Sequence, residues 1–153
     1  MKKVLIVEDY LLLRVSITFM LSHEDTVAIS CDNLECAEKA LMDHAFDLVI
    51  TDLSLSGTGD GMEGMRLLQM VKKRNSSIPV IMMTASGSAE TEKNAYLLGA
   101  YHYFEKPFDI GLLAQKVQAL GISTRRSFLD RHTSCAGREK AHQEASGWQN
   151  TGF

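Results

Sequence analysis

Leu48-Val49-Ile50-Thr51-Asp52 places an aspartate at the end of an apolar, β-branched run. An unbroken run of strand length, without polar alternation, is how a parallel strand covered on both faces reads. A carboxylate at the end of such a strand destabilises the fold unless a partner or a role offsets it. Three other runs end in the same manner: Val4-Leu5-Ile6-Val7 in Glu8-Asp9, Val80-Ile81-Met82-Met83 in Thr84, and Tyr101 to Glu105 in Lys106-Pro107. One edge of one sheet thus collects three carboxylates, a hydroxyl and an ammonium, a combination suited to a divalent cation and a phosphoryl group.

Strand-like and helix-like segments alternate outward from these runs, the rhythm of repeated right-handed βα units. Strands are expected near 3–7, 26–30, 47–52, 79–83 and 101–104. Leu11 to Leu21, Asn33 to His44, Met62 to Arg74, Ala89 to Leu98 and Phe108 to Leu120 carry apolar residues at helical spacing. Asp32 or Asn33 can cap the second helix, and Gly99 stops the fourth. The Met-rich set, including Met62, Met65, Met70, Met82 and Met83, reads as core and helix face. His23, His44 and His102 read as surface or boundary residues.

The 153 residues divide into a domain over 1–120 and a tail over 121–153, where apolar periodicity stops and Ser, Thr, Arg, His, Gln and Gly dominate. The tail is expected to be flexible, with Arg138 to Ala145 able to form only a short helix. The domain is acidic and the tail mildly basic, with a net charge of −3 that does not advertise nucleic-acid binding. No apolar run is long enough to span a bilayer, so a cytoplasmic protein without a membrane partner is expected. Cys31, Cys36 and Cys135 form neither a CxxC pair nor an even set and are read as reduced thiols. The five histidines show no metal-binding spacing.

In open α/β sheets of strand order 2-1-3-4-5, ligands sit beyond the carboxyl ends of the first and third strands. Those strands end at Glu8-Asp9 and Asp52. Three crowded carboxylates repel one another, and Mg²⁺, which favours oxygen ligands and shares phosphate oxygens, is the natural remedy.

With these motifs in order, residues 1 to about 120 resemble the receiver domain of bacterial two-component response regulators. The family's acidic pair matches Glu8-Asp9, its phosphoacceptor aspartate Asp52, its hydroxyl and small residue Thr84-Ala85, and its lysine-proline pair Lys106-Pro107. Tyr103 falls on the aromatic switch position. The resemblance implies a flavodoxin-like (βα)5 three-layer sandwich with sheet order 2-1-3-4-5 and a cis Lys106-Pro107 bond. It implies that Asp52 takes a phosphoryl group from a sensor histidine kinase or a histidine phosphotransfer protein. Asp9, Asp52 and the Ser54 backbone carbonyl would hold Mg²⁺, with Glu8 acting more remotely. Lys106 would contact a phosphoryl oxygen. Thr84 would move toward the phosphoryl group and Tyr103 would turn into the vacated space, shifting the surface of the fourth helix, fifth strand and fifth helix. That surface would engage a downstream protein effector or a second copy of the chain. The protein would assist its own phosphorylation and dephosphorylation without being an enzyme in the usual sense. No DNA-binding or catalytic output module is visible after residue 120, so a stand-alone receiver without direct nucleic-acid contact is expected.

The loop after Asp52 departs from the family pattern. Ser56 stands where a proline is common, and the loop is about four residues longer before Gly64 than in a common receiver. Asp60 is either an extra acid for the site or a solvated loop carboxylate. Gly59 to Gly64 also forms a GxGxxG, but it follows the third strand, and a pyrophosphate there would meet Asp52 and Glu8-Asp9 head on. Two further readings compete with the phosphoacceptor: a pseudo-receiver that binds partners without phosphate, and an aspartyl phosphatase, which would want DxD where this chain has Asp52-Leu53-Ser54.

Overall fold

The computed structural model describes residues 1–55 and 59–125. The elements in chain order are β1 (Lys2–Val7), α1 (Leu11–Leu21), β2 (Thr26–Cys31), α2 (Leu34–Asp43), β3 (Leu48–Asp52), α3 (Glu63–Arg74), β4 (Val80–Thr84), α4 (Ala89–Leu97), β5 (His102–Glu105) and α5 (Ile110–Ala119). The strands form one sheet in the order β2-β1-β3-β4-β5, with every neighbouring pair parallel. This is the flavodoxin-like arrangement that the sequence predicts.

The apolar strands have no polar alternation because both sheet faces are covered. Val4, Ile6, Leu48, Ile50, Ile81 and Met83 share one core with Ile17, Met20 and Leu21 of α1 and Leu113, Ala114 and Val117 of α5. The intervening residues Leu5, Val7, Val49, Val80 and Met82 point to the other face, where they meet Ala37 and Leu41 of α2, Leu67, Leu68 and Val71 of α3, and Ala95 of α4. A one-residue slip of any central strand would exchange its two faces between these cores. Register is therefore strongly specified, and the ends of the strands are placed with it.

Local signals set the helix ends. Asn33, not Asp32, caps α2, its side-chain oxygen accepting the Cys36 N–H at 2.8 Å. Ser88 caps α4 and Asp109 caps α5, so α5 begins at Ile110 rather than at Phe108. Gly99 follows α4 with φ +100°, a conformation that residues with a Cβ rarely adopt. Asn33→Ala should remove the cap bond and lower stability by about 1 kcal/mol in urea unfolding.

Two expectations need correction. The packed body does not end at Leu120: Ile122 and Thr124 are buried, the Thr26 hydroxyl donates to the Ser123 carbonyl, and the Arg125 N–H donates to the Met20 carbonyl at 2.9 Å. The Arg125 guanidinium also lies 4.0 Å from the centre of the Phe19 ring. Polar composition hid this segment because only Ile122 enters the core. The expectations of flexibility over the tail and of a helix over Arg138 to Ala145 fall, beyond Arg125, outside the described residues. Secondly, Cys31 and Cys36 are not separate thiols but are joined as a disulfide, with Cα atoms 5.5 Å apart. The turn at Asp32-Asn33 folds the first turn of α2 back over the end of β2, within bridging range.

Candidate functional site

Strand register assembles the site. Val7 pairs with Thr51, so Glu8 and Asp52 are each the next residue along two neighbouring strands. Asp52 pairs with Met83 and Thr84 with Glu105, while the Lys106 N–H donates to the Thr84 carbonyl at 2.7 Å. The Lys106-Pro107 peptide is cis, as the resemblance implies. Carboxylate oxygens of Glu8, Asp9 and Asp52 lie within 4.8 Å of one another.

Lys106 ties this acidic cluster together. Its Nζ donates to Glu8 Oε2 at 2.7 Å and to Asp52 Oδ2 at 2.6 Å, with both acids buried. The other Glu8 oxygen, Oε1, accepts the Tyr10 N–H at 3.0 Å, so both oxygens are satisfied inside the protein. Burial pushes the Glu8 carboxyl above its ordinary value, and the Asp52 charge adds to that, while the hydrogen bonds from Lys106 and Tyr10 resist it. Burial disfavours the Lys106 cation too, yet its hydrogen bonds and attraction to Asp52 and Glu8 outweigh burial and raise its pKa. One ammonium thus serves the two buried acids, with the Asp9 carboxylate beside them, and a divalent cation would offset the repulsion among the three. The oxygen-only donor set, two of its members buried, fits Mg²⁺.

The raised Glu8 pKa has a pH consequence. Glu8 binds its proton more tightly in the folded chain than in the unfolded chain, so its contribution to stability falls as pH rises from 4.5 through the folded pKa. In metal-free protein, the stability of the wild type relative to Glu8→Gln should decline across that window, measured by urea unfolding at a series of pH values. A difference that stays flat would contradict the assigned burial of the charge.

Tyr103 and Thr84 form the second part of the site. Thr84 is buried at the end of β4, its hydroxyl accepting the Ser86 N–H at 3.2 Å. Tyr103 is 6% exposed, its ring lying inward in this structure. Its hydroxyl is buried and finds no hydrogen-bond partner among the described residues. Burial, followed by the nearby Glu92 and Glu105 charges, raises its pKa, with the neighbouring Thr84 hydroxyl acting against the shift. Gly87 makes the inward position available: a Cβ there would overlap the Tyr103 hydroxyl and approach Thr84 Cγ2 to 2.8 Å. Gly87→Ala should expel the ring at a cost of about 1 to 2 kcal/mol. The Tyr103 phenol should then titrate closer to its ordinary value, which NMR of ring-labelled tyrosine would report.

The loop after Asp52 behaves differently from its composition. Asp60 is not an extra acid of the site: it pairs with Arg66 at 2.6 Å and accepts the Met62 N–H, with both side chains half exposed. The acid that the loop buries is Glu63, which accepts the Leu55 N–H at 3.4 Å. Sequence reasoning missed this residue, since an acid in the first turn of a helix reads as a dipole-compensating surface charge. Gly64 donates its N–H to the Leu53 carbonyl at 2.8 Å, and a Cβ on it would overlap the Asp52 carbonyl oxygen. The last glycine of the GxGxxG therefore packs against the strand end and leaves no cradle for a pyrophosphate. The Ser54 N–H donates to Asp52 Oδ1 at 3.3 Å. Ser56, where the family pattern departs, lies outside the described residues.

The comparisons with known proteins agree with this geometry. The model of the response regulator receiver domain matches residues 4–118. The response regulator protein FleR of Pseudomonas aeruginosa is 38% identical over 123 residues, which are 78% of this chain and 25% of that protein. Among solved structures, the non-phosphorylated HemR receiver domain of Leptospira biflexa superposes with a TM-score of 0.70 at 27% identity, covering 82% of this chain and 98% of that one. The beryllofluoride-activated NtrC4 receiver domain dimer gives a TM-score of 0.69 at 28% identity, covering 78% and 96%. The chain belongs to the receiver-domain family of two-component response regulators. It spans about a quarter of the length of the curated relatives it matches.

Proposed function

We propose that Asp52 is the phosphoacceptor of a phosphorelay and takes its phosphoryl group from phosphohistidine on a sensor histidine kinase or a phosphotransfer protein. The observation that carries this reading is the convergence of the Glu8, Asp9 and Asp52 carboxylates with the Lys106 ammonium at one sheet edge. An Asp52 carboxylate oxygen attacks phosphorus, the P–O bond forms, and the P–N bond breaks with its electrons returning to the departing imidazole. Asp9, Asp52 and the Ser54 carbonyl would hold Mg²⁺, with Glu8 more remote. That ion, when bound, offsets charge on the transferring phosphoryl group. Lys106 exchanges its contact with Asp52 for one to a phosphoryl oxygen, and the Thr84 hydroxyl turns to donate to another. Positioning and charge account for the reaction, so the chain assists its own chemistry without a separate general base or an enzyme's turnover of outside substrates.

The added charge of about −1.5 to −2 is local and needs a two-state element to be read elsewhere. Thr84 and Tyr103 touch the same small space beside Gly87, so movement of Thr84 toward the phosphoryl group changes what holds the Tyr103 ring. The α4-β5-α5 surface would pass that change to a protein effector or to a second copy of the chain. The NtrC4 receiver is a dimer when activated by beryllofluoride, which supports the second route. No helix among the described residues is long and apolar enough to cross a membrane. That supports a cytoplasmic setting, where a kinase could reach the site, and the acidic body supports signalling without direct nucleic-acid contact.

The test is incubation of the full chain with acetyl phosphate and Mg²⁺, followed by intact mass. A gain of one phosphoryl group, abolished by EDTA, is expected. No gain, together with no beryllofluoride-induced change in the Thr84 or Lys106 NMR signals, would favour a receiver that signals without phosphate.

A further inference from the structure

We propose that Cys31 and Cys36 form a reversible thiol–disulfide site, closed by a hydroperoxide oxidant, that restrains the loop carrying Glu8. The two residues occupy unlike positions. Cys31 is the last residue of β2 and is 3% exposed, whereas Cys36 is exposed in the first turn of α2. Their Cα atoms are 5.5 Å apart in the bridged form, an ordinary separation for a disulfide. Both cysteines line an open groove of about 660 Å³, with Ile29, Asn33 and Lys39 also on its wall, and a small oxidant or reductant can enter there.

The chemistry assigns the order of events. Cys36 is the exposed member of the pair and Cys31 the buried one, so an oxidant entering the groove meets the Cys36 sulfur first. The Cys36 thiolate attacks one oxygen of hydrogen peroxide: the S–O bond forms, the O–O bond breaks, and the departing hydroxide takes a proton to become water. Cys31 sulfur then attacks the Cys36 sulfenic acid. The S–S bond forms, the S–O bond breaks, and the departing hydroxide takes the Cys31 proton as a second water. Two thiols are oxidised by two electrons and one peroxide is reduced to two waters. A dithiol reductant reverses the step by exchange through a mixed disulfide.

The link to the site is a backbone hydrogen bond. The Glu8 N–H donates to the Cys31 carbonyl at 3.0 Å, one residue beyond the last paired residues of β1 and β2. Closing the bridge pins Cys31 to α2 and thereby holds the acceptor against which Glu8 is placed. This inference does not depend on phosphoryl transfer, and it is tested without it.

The full chain, reduced and then treated with a modest excess of hydrogen peroxide, would be alkylated and cut with trypsin. Peptide Val15–Lys39 contains both cysteines and should be lighter by two hydrogens and free of alkyl groups. Dithiothreitol should restore two alkylation sites. In apo protein, the Glu8 amide should exchange its hydrogen about tenfold more slowly in the oxidised form, and Cys36→Ser should remove that response to peroxide. Alkylation of both cysteines after peroxide, a sulfinic acid at Cys36, or a bridge from either to Cys135 would overturn the site. Equal Glu8 exchange in the two forms would overturn its link to the acidic cluster.

Discussion

Asp52→Asn should leave the chain folded and cut phosphoryl labelling by acetyl phosphate at least about a hundredfold, because the amide oxygen is a poor nucleophile. The stability change should stay within about 1 kcal/mol, since an amide of the same shape can still accept from Lys106 and its removal of charge relieves repulsion on Glu8. The Asp52 charge is one of the influences that raise the Glu8 pKa, so the variant should also bring Glu8 back toward its ordinary value. Retained labelling with an unchanged Glu8 titration would show that the reactive carboxylate lies elsewhere.

Gly64→Ala should be the most destabilising single change in the loop, at about 3 kcal/mol in urea unfolding. The added methyl would overlap the Asp52 carbonyl oxygen and sit 2.7 Å from the Leu53 Cα, and neither is a flexible side-chain end. Relief requires α3 to move away from the end of β3, or Asp52 to move with its backbone. Labelling should therefore weaken together with stability. Gly61→Ala offers a contrast: Gly61 has φ +76° and only the Ser54 Oγ, at 3.7 Å, near its added methyl, so its smaller cost should come from backbone conformation and spare the site. Equal losses in the two variants would argue against close packing as the reason for Gly64.

The fold was legible because the three central strands are buried on both faces. Val4 to Val7 and Val80 to Met83 alternate between two cores, which leaves no polar position to confuse the pattern. The convergence of polar groups was legible for a related reason: a carboxylate that ends such a run has no ready structural use for its charge, so Asp52 stands out, and Glu8 and Thr84 gain weight from ending neighbouring runs. What escaped reading depends on contacts between residues distant in sequence or on a single turn. The Cys31–Cys36 bridge needs the Asp32-Asn33 reversal. The inward Tyr103 needs the absent side chain of Gly87, sixteen residues earlier in the chain. Glu63 is an ordinary first-turn acid in sequence, and only the returning loop buries it. Ile122 to Arg125 look like the start of a polar tail, although their backbone closes against α1 and β2.

Asp52 itself is proposed to carry the phosphoryl group. Borohydride reduction of the full chain after acetyl phosphate labelling converts an acyl-phosphorylated aspartate into homoserine, which survives digestion. Trypsin releases Asp52 in the peptide Ala40–Arg66, together with Asp43, Asp47, Asp60 and Glu63. Fragmentation of that peptide should place the reduced residue at position 52, dependent on Mg²⁺ during labelling. Reduction at any other carboxylate, or at none in a sample whose intact mass shows the phosphoryl group, would contradict the account.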